Sequence, residues 1–187
     1  MSRESTEVRW NQNPLLHLSN KELEAHSKEW AFVVLLFTPP KEGTSLERYL
    51  LNKMKWTLES TRCIESLYSV ESIQQDGQYL TFLFEAPGVA LSSALRLLRL
   101  HQHSFHIGAG FGSGYMFDHY QSIDLIQMKS VLQHGNTTEI QVSPSLYCST
   151  SLPHGVGSFR CSPALAQRSG MNYWILKDYR SNLEQSC

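Results

Sequence analysis

The chain has 187 residues, of which 41% are hydrophobic and 18% are charged, a length that suits one large domain. Sixteen basic and 17 acidic side chains give a net charge of −1. This balance argues against a nucleic-acid partner bound by bulk positive charge and gives no electrostatic reason to expect membrane binding. The apolar run over 31–37 is far too short to span a bilayer. The four cysteines form no CxxC pair, which favours a reduced, cytoplasmic location.

The first 28 residues are polar and predict an N-terminal arm or interaction helix. Ser19 followed by Glu22 resembles a capping box, which would start a short helix at Asn20 that ends at about Ser27. The domain proper is therefore expected to span 29–187.

The first strand is predicted at Trp30–Thr38, a continuous β-branched and aromatic run typical of a buried central strand. Pro39 and Pro40 end it, because proline cannot donate to a strand ladder. A helix follows from Ser45 to about Arg62. Its apolar face recurs every four residues, at Leu46, Leu50, Met54 and Leu58.

Two strand-like runs at 67–75 and 78–85 meet at Asp76-Gly77, a strong hairpin signal because both residues tolerate positive φ. Pro87 then starts a helix that reaches about His101. A glycine-rich strand follows at Phe105–Gly112. Its alternating glycines, which continue to Gly114, predict a close approach by backbone or by a partner rather than a phosphate loop.

The remaining elements are a helix over Ser122–His134, a short strand at Glu139–Ser143, a loop-rich extension from about 149 to 170, and a last strand at Met171–Lys177. In this helix the apolar positions are Ile123, Ile126 or Leu125, Met128 and Leu132. The first six elements predict a βαββαβ, ferredoxin-like core in a single α+β domain with a mixed or antiparallel sheet and helices packed on it.

From Phe32 to about Tyr147 this order resembles the catalytic domain of class III adenylate/guanylate cyclases. The matching landmarks are segments in the same order as in that family. They are VVLLFT ending at Thr38, the hairpin at Asp76-Gly77-Gln78 with the strand to Phe84, PGVALSSALRL from Pro87, HIGAGFG from His106, and EIQVS ending at Ser143. The resemblance implies attack of a ribose 3′-hydroxyl on the α-phosphate of a nucleoside triphosphate, with two divalent metals bridging the reacting oxygens.

The positions that carry this chemistry in the family are all replaced here. The resemblance places the two metal-binding aspartates at Pro39 and Gln78, and the base-recognising lysine at Gln74. It places the asparagine and arginine that orient the ribose and stabilise the transition state at Ile126 and Ser130. Proline has no ligating side chain, and a neutral amide is a poor substitute for a carboxylate.

Nearby residues are not expected to replace the missing aspartates, asparagine and arginine. Asp76 precedes the hairpin glycine and is expected to serve the turn, and Glu42 is expected to be a solvated loop acid. Gln127 and Lys129 lie one place from the missing asparagine and arginine, and one helical step rotates a side chain by about 100°, so both are expected to face elsewhere.

The leading interpretation is a non-catalytic cyclase-like domain that acts as a regulatory or dimerisation module in signalling, without a metal or other cofactor. Its partner would be a second copy or another cyclase-like or signalling protein. The alternative is a nucleotide or small-molecule binding module without turnover, with Gln74, Asp76 and Gln78 as ligand-binding candidates. A third reading, from another functional class, is an active cyclase with rewired metal ligands such as Glu42 and Asp76.

Overall fold

The computed structural model describes residues 27–100, 104–116 and 119–180. The predicted N-terminal helix therefore lies outside the described residues, apart from Ser27, which begins the first strand instead of ending a helix.

The first six elements follow the predicted βαββαβ order. They are β1 Ser27–Phe37, α1 Leu46–Leu67, β2 Ser72–Asp76, β3 Tyr79–Phe84, α2 Pro87–Leu100 and β4 Phe105–Met116. The second half adds β5 Tyr120–Gln121, α3 Ile123–Leu132, β6 Ile140–Val142, α4 Pro144–Cys148, β7 Val156–Arg160, α5 Pro163–Ser169 and β8 Trp174–Asp178.

All of these strands belong to one sheet in the order β2-β3-β1-β4-β6-β8-β7, with β5 paired to β4. β1 is antiparallel to both β3 and β4, whereas β4 and β6 are parallel. The predicted α+β class with a mixed sheet and packed helices is thus confirmed. β2 forms one edge of the sheet, so the hairpin that carries Asp76 lies at the border of the domain.

β1 is apolar throughout because both faces of the sheet are covered. Ala31, Val33, Leu35 and Phe37 belong to a core that α2 completes with a row of buried leucines and alanines. The alternate residues of β1, such as Phe32, face a second core built with α3 and α5. Burial on both faces explains why apolar and polar residues do not alternate along β1.

The glycines of β4 allow α3 and β1 to approach closely. A Cβ added to Gly108 would lie 2.6 Å from Met128 Cγ, and one added to Gly110 would meet the ring of Phe32. The predicted close approach therefore occurs within the chain, in the core beneath α3.

The apolar face of α1 does not pack against the sheet. Leu46, Leu50, Met54 and Leu58 are 47–68% exposed, and the helix is instead held by buried Ser60 and Ile64. Ser60 and Ile64 are turned by about 80–160° from Met54 and Leu58, since each residue turns the helix by 100°. Ile64 lies on the same side as Leu46, five full turns later, so the stripe drifts away from the core side along the helix. The periodicity identified the helix correctly but not the face that meets the core.

Two other predictions require correction. The strand expected from Leu67 begins only at Ser72, because α1 continues to Leu67 with Ile64 anchored in the core. The extension expected to be loop-rich contains β7, which pairs with β8, and α5, which is capped by Ser162 and begins with Pro163. No helix in the described part of the chain is long and apolar enough to cross a membrane.

Candidate functional site

The end of β1 and the start of α1 enclose a cavity of about 230 Å³, here called the β1-end cavity. Pro39, one of the two positions where the resemblance expects a metal-binding aspartate, lines it together with Lys41, Tyr49 and Lys53. Lys53 Nζ donates to the carbonyl of Gly77 at 3.1 Å and lies 5.6 Å from the centre of the Phe37 ring. Lys53 therefore joins α1 to the β2–β3 turn and lines this cavity.

The charge of the β1-end cavity is the opposite of what a divalent cation requires. Its lining contains two lysines and no aspartate or glutamate. Tyr49 Oη is buried there without a hydrogen-bond partner among the described residues. Hard divalent metals bind carboxylate and carbonyl oxygens, and two ammonium groups repel them. The residues present therefore do not fit the metal pair that the cyclase family uses, whereas they are compatible with an anion.

The β2–β3 turn is shifted by one residue from the prediction, because Asp76 is the last residue of β2 and pairs with Tyr79, so the two-residue loop is Gly77-Gln78 instead of Asp76-Gly77. Gly77 has a φ of 57°, and Gln78 follows it as an exposed residue. Asp76, at the end of β2, accepts a hydrogen bond from Lys129 Nζ of α3 at 3.2 Å. Tyr79 strengthens the same junction, because its hydroxyl donates to the Lys129 carbonyl at 3.3 Å and accepts from Gln133 Nε2 at 3.2 Å.

A second cavity, of about 440 Å³, lies between this hairpin and α3 and is here called the groove cavity. Gln74, Asp76 and Ile126 all line it. Gln74 is only 8% exposed, and its Nε2 has no hydrogen-bond partner among the described residues. A buried amide donor without a partner is costly, and this donor belongs to a side chain that lines the groove cavity.

The structure thus brings together three of the predicted positions and separates the others. Gln74 and Asp76 share the groove cavity with Ile126, whereas Gln78 and Ser130 are not among its lining residues. Glu42 is exposed in the loop between β1 and α1, and Asp76 is paired with a lysine. Within the described ranges, no group of three or more His, Cys, Asp or Glu side chains could hold a metal ion.

Several lining residues were not found from the sequence. Lys129 was expected to face away from the site, but it lines the groove cavity together with Ile126, three residues earlier. Residues three apart lie on one face of a helix, so this spacing could have placed Lys129 there. Tyr120, in β5, lines the same cavity, and its hydroxyl donates a hydrogen bond to the Gly112 carbonyl at 3.0 Å. Burial raises the pKa of Tyr120, so it remains a neutral donor.

Comparison with solved structures relates this fold to nucleotide cyclases. The guanylate cyclase domain of RhGC from Catenaria anguillulae, in complex with GTP, matches with a TM-score of 0.64 and 14% identity, covering 81% of this chain and 97% of that domain. The adenylyl cyclase CyaB from P. aeruginosa matches with a TM-score of 0.61 and 10% identity over 81% of this chain and 95% of that one.

A dimeric guanylyl cyclase domain of the RhoGC fusion protein from Blastocladiella emersonii matches with a TM-score of 0.58 and 14% identity, covering 81% of this chain and 97% of that one. No family model and no curated protein sequence matches this chain. The chain therefore has the fold of class III adenylate/guanylate cyclase catalytic domains, as the sequence resemblance implied. At this level of identity the comparison establishes the fold alone.

Proposed function

We propose that this chain is a cyclase-fold domain without nucleotidyl cyclase activity, which acts in the cytoplasm as a regulatory or dimerisation module in signalling. The observation that carries the proposal is the β1-end cavity, which contains Lys41 and Lys53 and no carboxylate beside Pro39. Phosphoryl-type chemistry with two metals needs anionic ligands at that point, and this chain offers cations instead.

The test is an assay of the purified chain with ATP or GTP in the presence of manganese. We expect no cyclic nucleotide above the level of a heat-denatured sample. Product formation that depends on Glu42 and Asp76, and is lost in the double variant E42Q/D76N, would support the active cyclase with rewired ligands. Product formation of any kind would overturn the non-catalytic proposal.

The interaction part of the proposal is supported by the exposed apolar face of α1. Leu46, Leu50, Met54 and Leu58 form a continuous stripe on the helix surface and are each about half exposed or more. Contiguous exposed apolar patches often mark protein–protein contact sites. A second copy or another cyclase-like or signalling protein is the proposed occupant.

Light scattering of the full chain tests self-association. We expect a mass above the 21.4 kDa of one chain, and a return to that mass in the variant M54K/L58K. These side chains are exposed, so the variant retains its fold; the matched control R48A removes an exposed charge from the same helix. A strict monomer at tens of micromolar, roughly the range of weak homodimers, would contradict self-association.

A second candidate is metal-independent binding of a nucleotide without turnover. Two observations favour it, namely the lysines of the β1-end cavity, which suit phosphate groups, and the unpartnered Gln74 Nε2 in the groove cavity. We expect ATP or GTP to raise the melting temperature without added metal, and Q74L and K53M each to reduce that shift. The absence of any shift with either nucleotide would favour pure protein–protein interaction.

A further inference from the structure

The sheet ends at β7, on the side opposite the edge formed by β2. Of the described strands, only β8 pairs with β7, and Val156–Arg160 pairs with it in an unbroken antiparallel register. Natural proteins block such edges with proline, charged side chains, bulges or very short strands. β7 has an ordinary length of five residues, no proline and no bulge, and Arg160 is its single charged residue. Within the described part of the chain, its outer side is therefore open to a further strand.

The hydrogen bonds to β8 show which backbone groups of β7 point outward. Cys161, directly after β7, donates its N–H to the Tyr173 carbonyl at 3.0 Å, and Gly155, directly before β7, accepts a bond from the residue after β8 at 2.9 Å. Antiparallel strands exchange such bonds at every second residue pair, so the odd-numbered residues of this stretch face β8. The backbone N–H and C=O groups of Ser158 and Arg160 therefore point away from the sheet, and no described residue is hydrogen-bonded to them.

The two faces of β7 present different side chains beside this open edge. Phe159 is 47% exposed on one face. Arg160 is exposed on the other, where its guanidinium lies 5.1 Å from the centre of the Trp174 ring. Stacking on an aromatic ring leaves the N–H groups at the rim of a guanidinium free to donate. The ion pairs of the described residues do not include Arg160, so its charge is not matched by an acid.

From this arrangement we propose that the β7 edge binds an extended segment of a partner protein, which adds to the sheet as a further strand and places an acidic side chain opposite Arg160. The backbone of the segment bonds to Ser158 and Arg160, and its apolar side chains meet Phe159 on the other face. A second copy of this chain fits less well, because β7 contains no acid and would bring a second arginine. The proposal does not depend on the loss of cyclase activity, since β7 and the β2–β3 hairpin lie at opposite edges of the sheet.

Nuclear magnetic resonance titration of the full-length, isotope-labelled chain with the blocked hexapeptide TVEVTV tests the proposal. In an extended peptide of this sequence the valines share one face, for Phe159, and the glutamate lies on the other, for Arg160. We expect saturable shifts of the Ser158 and Arg160 backbone amides and slower hydrogen exchange at both. The same peptide with N-methyl groups on its glutamate and threonine amides cannot donate to β7, so it should not bind.

S158P and S158A form a matched pair of variants. S158P removes the outward N–H, and because that group does not bond to β8, the β7–β8 pairing stays in place. S158A keeps the N–H and removes only the contact between the Ser158 hydroxyl and Tyr147 Oη, at 3.0 Å. We expect S158P to abolish binding and S158A to leave it unchanged. If S158P fails to fold, the N-methylated peptide makes the same test on the native chain.

The neutral peptide TVQVTV tests the role of Arg160. The glutamate peptide should bind about two- to fivefold more tightly, the difference that an exposed ion pair provides, and R160M should remove this preference. The proposal is overturned by a lack of saturable shifts up to about 1 mM glutamate peptide, by binding of the N-methylated peptide or of a folded S158P, or by a preference for glutamate that survives R160M. A dimer that forms without peptide and is lost in S158P would also overturn it, since the occupant would then be a second copy.

Discussion

Lys129 Nζ lies 3.2 Å from Asp76 Oδ2, and this pair ties the edge hairpin of the sheet to α3. Asp76, which lies two residues before Gln78, is thereby engaged with a cation from the same chain. The Tyr79 hydroxyl, bonded to the Lys129 carbonyl, supports the same junction.

The Asp76–Lys129 pair is expected to contribute little to stability. The Asp76 side chain is 81% exposed, and exposed ion pairs contribute about 0.2–1 kcal/mol. A double-mutant cycle with D76N and K129M, measured by urea unfolding, should return a coupling energy in that range that falls at high salt. A coupling of several kcal/mol would mean that the hairpin junction is far more strongly desolvated than its exposure indicates.

α1 offers a direct test of which helical face meets the core. Ile64 is fully buried, whereas Leu58 is 54% exposed. I64A should therefore cost about 2–5 kcal/mol of unfolding free energy, while L58A should cost well under 1 kcal/mol. Chemical denaturation of both variants makes the comparison. Equal losses would show that the predicted stripe is the buried face after all.

Gly108 is expected to tolerate no side chain. Because a Cβ there would lie 2.6 Å from Met128 Cγ, G108V should destabilise the domain by about 1–3 kcal/mol through overpacking. Gly88 serves as the control, since it lies in α2 and a Cβ there meets nothing within 4 Å. G88A, at the second residue of α2, should leave the domain at least as stable as the native chain. Thermal unfolding distinguishes the two, and a neutral G108V would contradict the close approach of α3.

Asp178 predicts a loss of stability at acid pH. Burial raises the pKa of Asp178, but hydrogen bonds to Arg180 and the charges of Arg180 and Arg99 outweigh it, so the pKa lies below its ordinary value of 3.8. The carboxylate accepts from Arg180 Nη2 at 2.8 Å and from Arg99 Nε at 3.1 Å. The lowered pKa means that this stabilisation is complete above pH 3.8 and is lost as the pH falls through the folded value.

D178N should therefore cost about 1.5–3 kcal/mol at neutral pH, and the difference from the native chain should shrink as the pH falls below 3.8. Urea unfolding over a pH series measures it. A constant difference across the acid range would show that the charge of Asp178 is not what holds β8 to α2.

The sequence by itself determined the order of the first six elements. β1 is recognisable because a strand covered on both faces must be apolar throughout, and the hairpin is recognisable because Asp-Gly favours the turn geometry that Gly77 adopts. These are local signals, so one strand or turn is enough to reveal them. The placement of the family's acids at Pro39 and Gln78 stays a prediction from that order.

Only the tertiary structure decided which faces meet and which polar groups remain unpaired. The stripe of α1 has a helical period whether it is buried or exposed, and its exposure depends on where Ile64 anchors the helix. Lys129 and Lys53 became site residues through contacts with Asp76 and the Gly77 carbonyl, which lie far away in sequence. Hydrogen-bond partners, burial and the charge of a cavity depend on residues that are far apart in the sequence. The sequence pattern does not show which of these residues lie close together in the fold.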